Sequence, residues 1–286
     1  MQKKQSVLGL KEASAVKAAL ADLLRGGILF EVCTAEEAKI AEEAGALAVV
    51  TRPECNSAFE QIEKIQEAVT IPVIAYCRSG HSVEAAMLEA LFIDFIDESL
   101  FADSGLTIHK TDFQTPFISP ITDLKSALQK IAEGATILRN GEGFATLSES
   151  MKMLNGLKTG FAELSLLLPE EIAHWCANGG HSYEVVSRCR ELGSLPIPLL
   201  VASEVRDLSD VALLMQMGAD GLILPNTFME KEDPLAFAKS LVFGATHYSE
   251  PDQLLKYLLG HETTPKHHHH LLKREEIAVQ DLNDQL

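Results

Sequence analysis

With 286 residues, the chain is long enough for one large α/β barrel, a fold that typically runs to about 250 residues. Hydrophobic residues at 47% and charged residues at 23% describe an ordinary soluble globular protein. The 41 acidic against 24 basic residues leave a formal charge of −17, which repels phosphodiester backbones and excludes nucleic acid as an expected partner; small phosphorylated substrates answer to local fields and stay open.

The N-terminus, MQKKQSVLGL, carries charge but no apolar h-region, and no stretch approaches the roughly 18 apolar residues of a membrane span. A cytoplasmic protein without membrane contact is expected. A helix over about Leu10–Arg25 precedes the first of eight β-rich runs. These runs are Gly27–Val32, Ala46–Thr51, Pro72–Cys77, Phe92–Asp97, Pro116–Ile121, Ala135–Asn140, Ile197–Ser203 and Gly221–Asn226. Helical patterns such as AEEAKIAEEAG and Ser82–Leu91 lie between them, and alternation of this kind argues for a parallel sheet with crossover helices. GILFEV, ALAVVT and PVIAYC are continuously apolar, as strands buried on both faces should be. Eight βα units with right-handed connections close into a single (β/α)8 TIM barrel. A doubly wound open sheet is the weaker alternative, since the chain has no GxGxxG.

Two additions decorate the barrel besides the N-terminal helix: extra helical sequence over about Pro169–Leu192, after the sixth βα unit, and a polar tail from His261. The expected organisation is 1–26 N-terminal segment and helix, 27–260 barrel, 261–286 flexible tail. The five cysteines, Cys33, Cys55, Cys77, Cys176 and Cys189, form no CxxC or zinc spacing and read as buried free thiols in a reducing compartment.

The segments RGGILFEVCTAEEAKIAEEAGALAVV, CRSGHSVEAAMLEALFIDFIDES, IAEGATILRNGEG, DVALLMQMGADGLIL and FAKSLVFGATHY are colinear over roughly Leu20–Gly260. In these blocks the chain resembles the PdxS/SNZ family, the synthase subunit of glutamine-dependent pyridoxal 5'-phosphate synthase. The resemblance implies a barrel that stacks into hexameric rings, often dodecamers, and docks a glutaminase through its N-terminal helix. It also implies a lyase-class activity that condenses a pentose phosphate, a triose phosphate and ammonia into pyridoxal phosphate.

Barrel chemistry sits at the C-terminal ends of strands, where the loops converge. The family aspartate that ends the first strand corresponds to Glu31, one methylene longer and able to displace a catalytic atom. The lysine that forms a Schiff base with the pentose phosphate corresponds to Tyr76, and a phenol cannot form an imine. A second family lysine, after the sixth strand, has no counterpart in LRNGEGFAT, although Arg139 is kept. The remaining lysines map to helices, connections or tails; Lys110 precedes the fifth strand and is expected toward the opposite side. The family's phosphate site, a glycine pair after strand seven and glycine–serine after strand eight, corresponds to Ser203, Glu204, Pro225 and Asn226. There a carboxylate would repel phosphate by at least about 1 kcal/mol in water, and proline has no N–H to donate. The loop after strand two, RPECNSAFEQ, is also shorter. Asp97 is retained and reads as a structural carboxylate held by hydrogen bonds at the mouth; His247, in ATHY, is also kept.

Other features have plain readings. His267–His270 lies on a polar tail, where four consecutive imidazoles cannot share one geometry, so a solvated run is expected and no metal site. Cys77, with His81 four residues on, reads as a small apolar filler rather than a nucleophile. Trp175 fits helix packing, and the apolar face of Ala15–Leu24 fits either a glutaminase or the barrel base.

The expectation is a non-catalytic PdxS-like subunit without a cofactor that assembles with itself or with an active subunit, and possibly a glutaminase, to support vitamin B6 synthesis. The alternative is an enzyme of altered acid–base chemistry through Glu31, Tyr76, Arg78, His81 and Asp97. Third comes a genuine synthase using a substitute amine.

Overall fold

The apolar runs pair in parallel, each with the next, and the last closes on the first. The computed structural model describes residues 7–51, 58–100 and 106–260. Its strands are β1 (Ile28–Val32), β2 (Ala48–Thr51), β3 (Val73–Arg78), β4 (Phe95–Leu100), β5 (Phe117–Ile121), β6 (Ile137–Asn140), β7 (Leu199–Ala202) and β8 (Gly221–Leu224), in sequence order around a closed barrel. Closure is made by Ile28 against Leu222 and Phe30 against Leu224. This is a (β/α)8 TIM barrel.

Side chains alternate across each strand, so a barrel wrapped in helices needs apolar residues on both faces. Leu29, Ile74, Phe95, Ile118, Ile137 and Ile223 belong to the cluster filling the barrel interior. Their neighbours Phe30, Val49, Ile96 and Leu138 pack under the surrounding helices.

The helices are α1 (Val7–Asp22), α2 (Ala35–Glu43), α3 (Ala58–Ala68), α4 (Ser82–Ala90), α5 (Leu124–Ala132), α6 (Leu147–Leu166), α7 (Pro169–Gly179), α8 (Tyr183–Leu192), α9 (Leu208–Gln216) and α10 (Pro234–Thr246). The loops leaving the barrel top deliver polar caps: Thr34 on α2, Asp123 on α5, Thr146 on α6, Asp207 on α9 and Asp233 on α10. Each occupies one of the amide groups that a helix start leaves unpaired. Glu250–Gly260 belong to a second unit, whose described helix is α11 (Pro251–Leu258). The tail from His261, His267–His270, Cys55 and residues 52–57 of the loop after β2 lie outside the described residues. Among the described residues, no helix is long and apolar enough to cross a membrane.

Most element ends lie one to three residues from the sequence expectation, and three differences have a physical cause. β4 begins at Phe95 rather than Phe92, because Leu91–Asp94 end α4 and turn into the strand. Phe92 there adopts φ 56°, and the Asp94 carboxylate accepts from the Val73 N–H at 2.8 Å. The extra helical stretch is two helices, since Gly180 at φ 68° ends α7 and Ser182 caps α8. The third concerns the connection from β4 to β5, which carries a 3-10 turn, Lys110–Asp112, among its described residues where an eighth crossover helix was expected.

That connection shapes the outer face of β4. Glu98 points away from the barrel axis, 1% exposed, and meets the Lys110 ammonium at 2.7 Å, also 1% exposed. Ser119 of β5 donates to the same carboxylate at 2.6 Å, while Lys130 of α5 and Glu133, the residue that ends the helix, continue the network. Lys110 was expected in a connection on the opposite side from the strand ends; it lies in a connection, but buried against the outer face of β4.

Breaking a buried pair leaves an uncompensated charge in a poorly solvated place. Lys110→Met should therefore lower unfolding stability by about 3 kcal/mol, while Lys110→Met with Glu98→Leu should recover most of it. Urea midpoints at constant m-value measure both.

Candidate functional site

The residues that point inward at the upper ends of β3, β4 and β6 converge on one guanidinium. Arg139 is 0% exposed and donates from Nη1 to Asp97 Oδ2 at 2.8 Å and to Ser99 Oγ at 2.9 Å. Tyr76 Oη lies 3.4 Å from the same nitrogen, and the guanidinium carbon is 5.6 Å from the Tyr76 ring centre. Asp97 Oδ1 accepts from the Ser99 N–H at 3.0 Å, which fixes the carboxylate against its own strand. Burial works against the charge on Arg139, but Asp97 outweighs it, and the guanidinium is held above its ordinary pKa. Burial pushes the Tyr76 phenol well above its ordinary value of 10.0, while Arg139 pulls it the other way. Tyr76 is thus a neutral hydrogen-bonding group rather than a base at neutral pH.

Above this cluster the loop after β6 folds back over the barrel. Arg139 Nη2 donates to the Gly143 carbonyl, the Gly141 N–H donates to Ile121 O at 2.7 Å, and the Ala145 N–H donates to Ala202 O at 3.1 Å. Gly141 and Gly143 take φ values of 49° and 71°, which lets the loop reverse within two residues. Phe144 and Leu100 then pack on the apolar cluster of the barrel interior. Asn140 is spent on β7: its amide donates to Ala202 O at 3.0 Å and its carbonyl accepts from the Ala202 N–H at 2.5 Å.

The amides after β7, where barrels commonly hold an anion, are also in use. The Ser203 N–H donates to Ile223 O at 3.1 Å and the Glu204 N–H to Ala145 O at 2.8 Å. The buried Ser203 hydroxyl lies 2.9 Å from Ser150 Oγ. After β8, Pro225 leads into a 3-10 turn, and the Asn226 amide donates to Cys33 Sγ at 3.3 Å. A cleft of about 380 Å³ remains beside these loops, lined by Thr146, Glu204, Arg206, Asp210 and Thr227. Its one guanidinium, Arg206, is engaged by Asp210 at 3.0 and 3.1 Å.

Glu31, on β1, is partly buried and near enough to Tyr76 to help raise its pKa. Arg78 and His81 stand apart from the inward cluster: Arg78 pairs with Glu84 at 3.2 Å, and His81 Nδ1 accepts from the Glu84 N–H as the cap of α4. Cys77 faces the outer layer, and burial, then Glu84, pushes its thiol up. His247 stacks on Phe243 at 4.2 Å. Among the described residues, no group of three or more His, Cys, Asp or Glu side chains could hold a metal ion. The sequence reading missed Ser99, Asn140 and Phe144. Strand alternation from Asp97 signals Ser99; nothing local signals that Asn140 would bridge to β7.

Residues 13–202 match the SOR/SNZ family. The chain is 36% identical over 252 residues, 82% of its length and 85% of the relative's, to the pyridoxal 5'-phosphate synthase subunit PdxS of Bacillus cereus. To the same-named subunit of Halalkalibacterium halodurans it is 35% identical over 268 residues, 88% and 90% of the two chains. Among solved structures it is similar in fold to the thiamine phosphate pyrophosphorylase of Pyrococcus furiosus, with TM-score 0.53, 14% identity, and coverage of 80% of this chain and 98% of that one.

Two substitutions separate the parts played by the inward cluster. Asp97→Asn leaves the Arg139 charge buried beside a neutral amide and should cost about 3–5 kcal/mol of unfolding free energy. Tyr76→Phe removes a long hydrogen bond to Arg139 while keeping the ring, and should cost about 0.5–1 kcal/mol near neutral pH. The phenol's raised pKa also gives a pH signature. Above about pH 10 an unfolded tyrosine ionises while the folded Tyr76 keeps its proton, so this contribution is complete below that pH and falls as pH rises. Urea midpoints at about pH 9 and 11 should drop more for the parent than for Tyr76→Phe.

Proposed function

The chain belongs to the SOR/SNZ family, and from that premise we propose that it is a non-catalytic PdxS-like subunit serving pyridoxal 5'-phosphate synthesis in the cytoplasm by assembling with copies of itself or with an active synthase subunit. The observation that carries this reading is the inward cluster: where imine chemistry needs a primary amine, Tyr76 is hydrogen-bonded to an arginine already paired with Asp97. None of the eight strands contains a lysine. Lys110 is paired with Glu98 in the outer layer, and Lys231, after β8, is exposed with its ammonium over the Phe237 ring.

Phosphate recognition has the same difficulty. The Ser203 and Glu204 amides close backbone hydrogen bonds, Pro225 has no donor, and the exposed Glu204 side chain adds a negative charge. Phe144 covers the inner cluster from above, so a sugar phosphate would have to displace an apolar side chain as well. The same geometry counts against altered acid–base chemistry, because the Tyr76 phenol is raised and the Asp97 carboxylate is committed to Arg139 and Ser99. Assembly with other subunits and docking of a glutaminase both belong to this proposal, and the family membership supports them.

The test is intact-protein mass spectrometry after incubation with ribose 5-phosphate, beside a PdxS subunit such as that of Bacillus cereus. The expected result is an unmodified mass for this chain and a retained sugar adduct on the control. An adduct here, or pyridoxal phosphate formed from pentose phosphate, triose phosphate and ammonium, would overturn the reading.

A further inference from the structure

The chain contains three Asn–Gly steps: Asn140–Gly141, Asn155–Gly156 and Asn178–Gly179. Asparagine is chemically labile before glycine, because no Cβ shields the following backbone nitrogen from the side-chain amide. That nitrogen can attack the amide carbon wherever it is released from its own hydrogen bond and the backbone is able to turn. One chemistry thus stands in three structural settings, and the settings differ.

Asn140 is held on every side. It is 5% exposed, both ends of its amide are bonded to Ala202, and the Gly141 N–H donates to Ile121 O at 2.7 Å. Asn155 is exposed but stands in the middle of α6, where each backbone N–H is engaged by the carbonyl four residues earlier. The Thr159 hydroxyl adds a further bond to the Asn155 carbonyl at 3.1 Å. Asn178 has neither protection. Asn178 and Gly179 are exposed and are the last two residues of α7, and Gly180 follows in a left-handed turn at φ 68°. Two successive glycines weaken this turn, and no basic side chain supports the carbonyl end of the helix. Helix ends of this kind open far more readily than a helix interior.

The glycine cannot be exchanged freely. His181 stacks on Trp175 with ring centres 5.0 Å apart and planes 25° apart. A Cβ on Gly179 would run into the His181 ring. The packing that seats His181 on Trp175 therefore keeps a reactive glycine directly after an exposed asparagine.

We propose that Asn178 is a self-modification site that converts to aspartate and isoaspartate and so remodels the α7–α8 turn. The Gly179 nitrogen gives up its proton to base and bonds to Asn178 Cγ. The Cγ–Nδ2 bond breaks, the nitrogen leaves as ammonia with that proton, and a succinimide ring remains. Water then opens the ring at either carbonyl. Aspartate puts a negative charge at the negative end of the helix dipole, beside Glu170 and Glu171 in the same cleft. Isoaspartate lengthens the main chain by one carbon between Asn178 and Gly179. Both products loosen the turn that holds His181 against Trp175.

The test incubates the full chain at mildly alkaline pH and maps the three Asn–Gly peptides by mass spectrometry. Emission from Trp175, the single tryptophan, is followed in parallel, with Asn178→Gln as control because glutamine does not readily close the five-membered ring. Asn178 should convert at least about tenfold faster than Asn155 or Asn140, since the reaction follows the population of the opened backbone. Trp175 emission should change in step with that conversion in the parent and stay constant in Asn178→Gln. Equal or faster conversion at Asn155 or Asn140, or no conversion at any of the three, overturns the site. Conversion of Asn178 with constant emission, or an emission change shared by Asn178→Gln, overturns the remodelling of the turn.

Discussion

A guanidinium with no exposure to water, set inside a parallel barrel, constrains everything around it. Arg139 cannot shed its proton, so the barrel must supply an anion and further acceptors at fixed distances. Asp97 and Ser99 supply them from one strand, Gly143 from the loop above, and Tyr76 adds a weaker contact. β4 does this on both of its faces at once. Asp97 turns inward to Arg139 while Glu98, the next residue, turns outward to Lys110. The strand thereby ties the interior to the helical layer at the place where a 3-10 turn stands in the β4–β5 connection.

The arginine also decides what lies over the mouth. Because it engages the Gly143 carbonyl, the loop after β6 is drawn onto the barrel, and Phe144 comes down on the interior cluster. The same loop presents Ala145 to Ala202 and to Glu204, which extends the β6–β7 pairing into the region where an anion would need free amides. One buried charge, one covering loop and one consumed set of backbone donors are thus successive consequences of the same packing. In this cluster the protein itself supplies partners to Tyr76, Asp97 and Arg139.

Much of the architecture is legible in the amino-acid sequence. Eight apolar runs at the spacing of βα units define a closed barrel, because a strand buried on both faces can afford no polar alternation. The cap residues Thr34, Asp123, Thr146, Asp207 and Asp233 mark helix starts by chemistry alone. Boundaries were less secure. Phe92 reads as the start of a strand by hydrophobicity, yet it sits in a turn and faces water, which is a decision of packing rather than of composition. Eight βα units were expected, and apolar periodicity does not announce that the described part of the β4–β5 connection is a 3-10 turn with a buried lysine.

By itself, then, the amino-acid sequence determined the fold class, the family blocks and the residue types present at each strand end; these depend on local periodicity and side-chain identity, which are properties of the chain. Only the tertiary structure decided which polar groups have partners. That Arg139 reaches Asp97 42 residues earlier, that Asn140 is spent on Ala202 62 residues later, and that the amides of Ser203 and Glu204 are consumed are facts of distance between remote segments. A hydrogen bond exists only over about 3 Å, and closure of the barrel sets that distance.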